Sequence, residues 1–162
     1  MLITTSRKPS SKTRKFCKNL SHATGSEYIN RGKSNMREVL LKALEIKEDN
    51  IAIVNEIKGN PSKITFYSSN GDINLTILIS ASLSNDRLHI NPKNLTINSE
   101  FDDLNILSEI FGFELDNESK DNYIHIFPID NEDKNIAKIH FYNKLGNLTD
   151  FQISIKKILA SD

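Results

Sequence analysis

Six cations crowd the first eighteen positions, Arg7, Lys8, Lys12, Arg14, Lys15 and Lys18, with no carboxylate among them. A second basic group, Arg31, Lys33 and Arg37, follows around Gly32. Arginine grips a phosphate through two parallel hydrogen bonds, and lysine supplies a point charge. Ser6 and Ser10 bring hydroxyls to the first group, and Gly32 lets a backbone approach closely in the second. Several such charges in a row suit a polyanion better than a single nucleotide, and phosphate contact dominates nucleic-acid affinity. The candidate contacts are Ser6, Arg7, Lys8, Ser10, Lys12, Arg14, Arg31, Gly32 and Lys33. Lys15, Lys18 and Arg37 form a peripheral electrostatic rim.

These residues need a scaffold, and hydrophobic periodicity supplies one. Met1–Thr5 is apolar and β-branched, which predicts a strand. Pro9 and Ser10 mark a helix start, and Phe16, Leu20 and Ala23 recur at helical spacing. Lys8, Lys12, Lys15 and Asn19 fall on another face, and Gly25 suits the helix end. Tyr28-Ile29 is a second short strand, and Ser34 or Asn35 caps a helix built on Met36, Val39, Leu40, Ala43 and Leu44. A strand-helix-strand crossover makes the two strands parallel. It places loops 6–10 and 30–33 at one carboxyl edge, where open α/β sheets bind ligands. The helix start near Ser10 is expected to aim free amides and a positive dipole end at the same place.

Strands follow around Ile51–Ile57, Ile64–Tyr67 and Ile73–Ile79, with Gly59-Asn60-Pro61 and the hairpin signal Asn70-Gly71 between them. Residues 80–100 hold one or two short strands, around Leu88–Ile90 and Leu95–Ile97. Phe101–Phe113 carries a helical stripe, then strands are expected at Tyr123–Ile129, Ile136–Tyr142 and Phe151–Leu159, with turns at Asp130–Lys134 and Gly146-Asn147. The expectation is a mixed α/β fold in one domain spanning 1–162. Its N-terminal lobe covers about 1–80 and its C-terminal lobe about 81–162.

The 162 residues carry 21 Lys+Arg and 21 Asp+Glu, a neutral total that argues against nucleic acid only as an average. Residues 1–63 hold 13 basic and 6 acidic side chains, while 64–162 hold 8 and 15. Such asymmetry points to a polyanion at the basic end. Residues 99–133 hold eleven acids against Lys120 alone, a solvated surface, a mask for the basic site or a contact for a basic protein partner. No apolar run has membrane-span length, so no membrane is expected. The lone Cys17 excludes an internal disulfide, and with no signal-like start it implies a reducing cytoplasm.

Other chemistries fit poorly. Gly32-Lys33-Ser34 looks like the end of a phosphate-binding P-loop, but Glu27 stands where its first glycine belongs, so no nucleotide is expected. Cys17 sits near lysines yet beside the apolar stripe, which favours a small core residue. His22, His89, His125 and His140 have no metal-ligand spacing, and Asp130, Glu132 and Asp133 lack the glycine and terminal glutamate of a calcium loop. No cofactor, metal or catalytic residue is expected. Tyr28 and Phe66 are candidates for stacking on bases, against ordinary packing.

Thr4-Thr5-Ser6-Arg7-Lys8-Pro9-Ser10 with Thr13-Arg14, Phe16 and Leu20-Ser21 resembles the opening signature of Brix-domain ribosome-biogenesis proteins. Tyr28-Ile29-Asn30-Arg31-Gly32-Lys33 followed by Arg37 is similar to the family's next motif. Gly59-Asn60-Pro61 with Ile64-Thr65-Phe66, and Gly112-Phe113-Glu114-Leu115-Asp116, resemble later blocks of its compact archaeal, Imp4-like members. The closing block Phe151–Lys157 carries Lys where that pattern has Arg. The resemblance implies two similar halves, each related to the anticodon-binding domain of class IIa aminoacyl-tRNA synthetases. It implies a non-enzymatic factor that binds ribosomal RNA or its precursor during processing and folding, with ribosomal or assembly-factor proteins as further partners. The alternative is a protein adaptor in ribosome assembly whose basic edge meets an acidic partner.

Overall fold

The computed structural model describes residues 1–130 and 134–159. Strand β1 (Leu2–Thr5) is buried at all four positions, covered on both faces. Helix α1 (Ser11–Thr24) begins where the Ser10 hydroxyl accepts the Thr13 amide, and it buries Phe16, Cys17, Leu20 and Ala23. Fully burying a Phe or Leu side chain stabilises by roughly 1.5–3 kcal/mol. The helix stops at Gly25, which has φ +66° and returns its amide to the Ser21 carbonyl. A Cβ at Gly25 would lie 2.7 Å from Pro92 Cβ, so conformation and space both demand glycine.

After β2 (Glu27–Tyr28), helix α2 (Met36–Glu45) opens with a capping box between Asn35 and Glu38, which makes Asn35 the cap rather than Ser34. Strands β3 (Asn50–Ile57), β4 (Asn60–Ser68) and β5 (Ile73–Ser82) form a meander, with Gly71 at φ +91° in the expected hairpin. The second half supplies β6 (Thr96–Ser99), α3 (Ile106–Phe111), β7 (Tyr123–Pro128), β8 (Ala137–Tyr142) and β9 (Leu148–Leu159).

Four expectations change. Leu88–Ile90 forms no strand, because His89 takes φ +56°, a left-handed conformation incompatible with a ladder. The helix expected over Phe101–Phe113 breaks into a 3₁₀ turn (Asp102–Leu104) and the short α3, with no side-chain cap at Asn105 and Gly112 at φ +78° ending it. Strand β9 starts earlier than expected, since Leu148 pairs with Tyr142. Asn19 is buried rather than on a basic face: its amide accepts from Ser84 N–H at 2.9 Å and donates to the Ser84 carbonyl at 3.3 Å. The Asp130–Lys134 turn falls largely on 131–133, outside the described residues.

Among the described residues nine strands make one sheet in the order β2-β1-β3-β4-β5-β9-β8-β7-β6. β1 runs parallel to both β2 and β3, as the crossover rule requires. β6 runs parallel to β7 and bridges Leu115 in parallel on its other side. Each parallel group leads into an antiparallel meander, and β5 and β9 join the meanders. The main core gathers Ile3, Val54, Phe66, Ile97, Ile124, Phe141 and Phe151 beneath the buried sides of α1 and α3. Phe151 meets Phe16 edge-on at 5.6 Å and stacks on Phe141 at 4.8 Å, so one ring ties α1 to the second half. A smaller core, Leu2, Ile51 and Ile53 under Val39 and Ala43, holds α2 against the first half.

Candidate nucleic-acid interface

Because β1 and β2 are parallel neighbours, the loops leaving them open at one edge of the sheet. Between them lies an open groove of about 830 Å³ lined by Arg7, Lys8, Arg14, Arg31 and Lys33, with Gly32 at its wall and no carboxylate in the lining. Arg31 staples the two loops together. Its Nη1 donates to the Thr5 carbonyl and its Nε to the Ser34 carbonyl, both at 2.8 Å. Two of its five N–H donors are thus committed and three remain. Burial, and then the neighbouring Arg7, lower the Arg31 pKa, and Tyr67 opposes them more weakly.

Arg14 donates one hydrogen bond to the Pro9 carbonyl at 3.2 Å. Arg7, Lys8 and Lys33 are exposed, with no side-chain hydrogen bond or ion pair among the described residues. Lys8 sits at φ 54°, a conformation uncommon for a residue with a side chain. Gly32 has φ 56° and open space where a Cβ would stand.

The start of α1 differs from the expectation. The Glu56 carboxylate of β3 accepts the Ser10 amide at 3.0 Å and the Thr13 hydroxyl. The Ser10 hydroxyl donates to the Gly59 carbonyl at 2.7 Å while accepting the Thr13 amide. The positive end of the helix therefore already has its anion, and Ser10 is committed to holding the loop. The Thr13 hydroxyl, the Ser10 amide and more weakly Arg14 hold the Glu56 carboxyl below its usual range. Sequence reasoning missed Glu56 because it stands 46 positions from Ser10, with nothing local to mark it.

The other candidates scatter. Lys12 donates to Asn60 Oδ1 at 3.0 Å and lines a neighbouring groove of about 510 Å³ with Lys58 and Lys156. Ser6 is half-buried and its amide is tied to the Val54 carbonyl at 2.9 Å. Lys15, Lys18 and Arg37 stand outside the groove lining, Lys15 half-buried and the other two exposed. Phe66 is only 1% exposed and meets Phe111 edge-on, so it offers no face to a base. Tyr28 is half-buried beside the groove, its hydroxyl donating to Asn30 Oδ1 at 3.2 Å. Cys17 is a core residue whose thiol burial pushes up to about 12. Downstream of Gly32-Lys33-Ser34, the Glu38 carboxylate reaches back to the Asn35 amide and occupies the start of α2. Among the described residues no group of three His, Cys, Asp or Glu is placed to hold a metal ion, and no helix is long and apolar enough to cross a membrane. Glu132 and Asp133 lie outside the described residues.

Comparison with known proteins identifies the lineage of this geometry. The chain is 38% identical over 119 residues to a probable Brix domain-containing ribosomal biogenesis protein of Methanothermobacter thermautotrophicus, covering 74% of each chain. It belongs to the Brix domain-containing ribosomal biogenesis proteins. A Brix relative from Methanosarcina mazei is 43% identical over 81 residues, 49% of each chain. The crystal structure of Mil, an archaeal Imp4-like protein, superposes with a TM-score of 0.85 at 31% identity, covering 99% of both chains. A probable ribosomal biogenesis protein from Aeropyrum pernix K1 shares the fold, with a TM-score of 0.73 at 24% identity over 96% of this Brix chain and 94% of that one. No family model matches the sequence.

Proposed function

We propose that this Brix protein binds ribosomal RNA or its precursor and assists its processing and folding without catalysing a reaction. The observation that carries this reading is the carboxylate-free groove with Arg7, Lys8, Arg14, Arg31 and Lys33 around it. Three of these cations have no partner within the described residues, so phosphate contact costs them no existing bond. Arg31 positions the loops and adds its remaining donors, while Lys12 and the rim of Lys15, Lys18 and Arg37 contribute longer-range attraction. The chain acts as a single Brix unit whose halves, about 1–80 and 81–162, repeat one plan. In that plan each half has a parallel group followed by a meander, related to the anticodon-binding domain of class IIa aminoacyl-tRNA synthetases. Its working place is the cytoplasm.

Crosslinking to RNA in cells, with sequencing of bound fragments and mapping of crosslinked peptides, tests this. The expected result is enrichment of ribosomal RNA, with adducts on the 6–10 and 30–33 loops. Adducts absent from both loops, with partner proteins retained after nuclease treatment, would favour the adaptor reading instead.

A further inference from the structure

The second half of the sheet carries a face that the basic groove does not use. Along β7, Ile124 and Ile126 enter the core, and Tyr123, His125 and Phe127 stand on the opposite side. Along β8, Ile139 and Phe141 enter the core, and Lys138, His140 and Tyr142 stand opposite. Register places Tyr123 across from Tyr142, His125 across from His140, and Phe127 across from Lys138. The tyrosine rings stack at 4.7 Å and 5°, and His125 stacks on Phe127 at 4.6 Å. Phe127 meets His140 edge-on at 4.9 Å. Five rings therefore form one continuous half-buried surface, and none belongs to either core.

The first half shows what normally covers this side. There, Leu2 pairs with Ile51 and Thr4 with Ile53, and the aliphatic members pack under α2. The matching pairs in the second half are Thr96 with Tyr123 and Asn98 with His125. Aliphatic side chains that hold a helix are replaced by rings, a hydroxyl and an amide. Among the described residues α1 and α3 lie on the main core and α2 on the first half, so no helix covers the rings.

A surface of flat rings edged by hydrogen-bonding groups matches a nucleobase, which has a π-face and a polar rim. Lys138 supplies a cation on the same face, and the Glu100 carboxylate holds His125 Nε2 at 3.0 Å and so fixes that ring, while Asp121 lies near Thr96 at its margin. The His140 ring meets Phe127 edge-on, and its Nε2 is buried without a hydrogen-bond partner among the described residues. Burial, then Lys138 and His125, disfavour its charged form, which suits stacking by a neutral ring.

We infer that this face stacks unpaired bases of single-stranded RNA, so that the protein holds RNA by phosphates at the β1–β2 edge and by bases on β7 and β8. The inference rests on the RNA reading of the groove and adds to it the class of RNA. The chain contains no tryptophan, so Tyr142→Trp installs a unique fluorophore within the ring cluster. Its emission is expected to be quenched by a mixed-sequence single-stranded RNA and not by an abasic ribose-phosphate strand of equal length. Tyr123→Leu with Tyr142→Leu is expected to weaken binding of the base-bearing RNA by about tenfold or more, the scale of one lost stack. The same pair should leave the salt slope unchanged, and Tyr→Phe at both positions should restore affinity.

Unmoved Tyr142→Trp emission at saturating RNA overturns the inference, and so does a folded Leu pair that binds like the parent. Salt-dependent binding that is equal for RNA and the abasic strand overturns the ring surface while leaving the groove intact. Absence of any RNA binding by the unaltered chain overturns both.

Discussion

Removing Arg7 and Lys33 together tests the groove without disturbing the scaffold. Both side chains are exposed and neither has a partner among the described residues, so Arg7→Ala/Lys33→Ala should change stability by no more than about 0.5 kcal/mol. Each phosphate neutralised on a single strand contributes about −0.7 to the slope of log affinity against log salt. Five groove cations therefore predict a slope of about −3.5, and three remaining cations about −2.1. Between 50 and 200 mM salt the unaltered protein should lose about 130-fold in affinity and the double variant only about 20-fold. Fluorescence anisotropy of a labelled single-stranded RNA, titrated across that range, reads both slopes. Circular dichroism and a urea melt confirm that the variant remains folded. A double variant that keeps the parental slope would remove these residues from the interface. A parental slope near zero would refute phosphate gripping altogether.

Arg31→Ala should behave differently, because it breaks two bonds to backbone carbonyls as well as a potential phosphate contact. A loss of roughly 1–3 kcal/mol in a urea melt should accompany weaker RNA binding, and Arg31→Lys should not restore both bonds. Ser10→Ala removes the α1 cap and its bond to Gly59, with an expected loss of about 1 kcal/mol in the same melt. Glu56 has a folded-state pKa below its unfolded value, so it stabilises fully above the ordinary carboxylate range and loses that contribution as pH falls through the depressed pKa. Acid titration followed by circular dichroism should show Glu56→Gln less stable at neutral pH, with the difference from the parent shrinking on acidification. Cys17 should resist a thiol reagent in the native protein at pH 8 and react at once in denaturant, since burial pushes its thiol up to about 12.

Much of the groove is readable from local chemistry. Capping by Ser10, the Phe16–Leu20–Ala23 stripe and Gly25 define α1 within one helix length, and the crossover rule then brings the two basic loops to one edge. Asn70-Gly71 fixes its hairpin in the same local way. Non-local commitments were not readable. Glu56 reaches Ser10 and Thr13 from another strand, Asn60 takes Lys12 toward a second groove, and Ser84 draws Asn19 into the interior. Phe66 looked like any aromatic in a strand until the sheet turned it toward Phe111 and the core.

The sequence by itself determined the charge division, the parallel first strands and the family blocks, because each depends on composition or on spacing within a few turns of chain. It determined the alternation of β7 and β8 as well, but not which side of that alternation is left bare. Only the tertiary structure decided that, by placing α1 and α3 on one face of the sheet and α2 over the first half of the other. It also decided which cations remain free, since a lysine or arginine is available to phosphate only where distant carbonyls and carboxylates have not already claimed it.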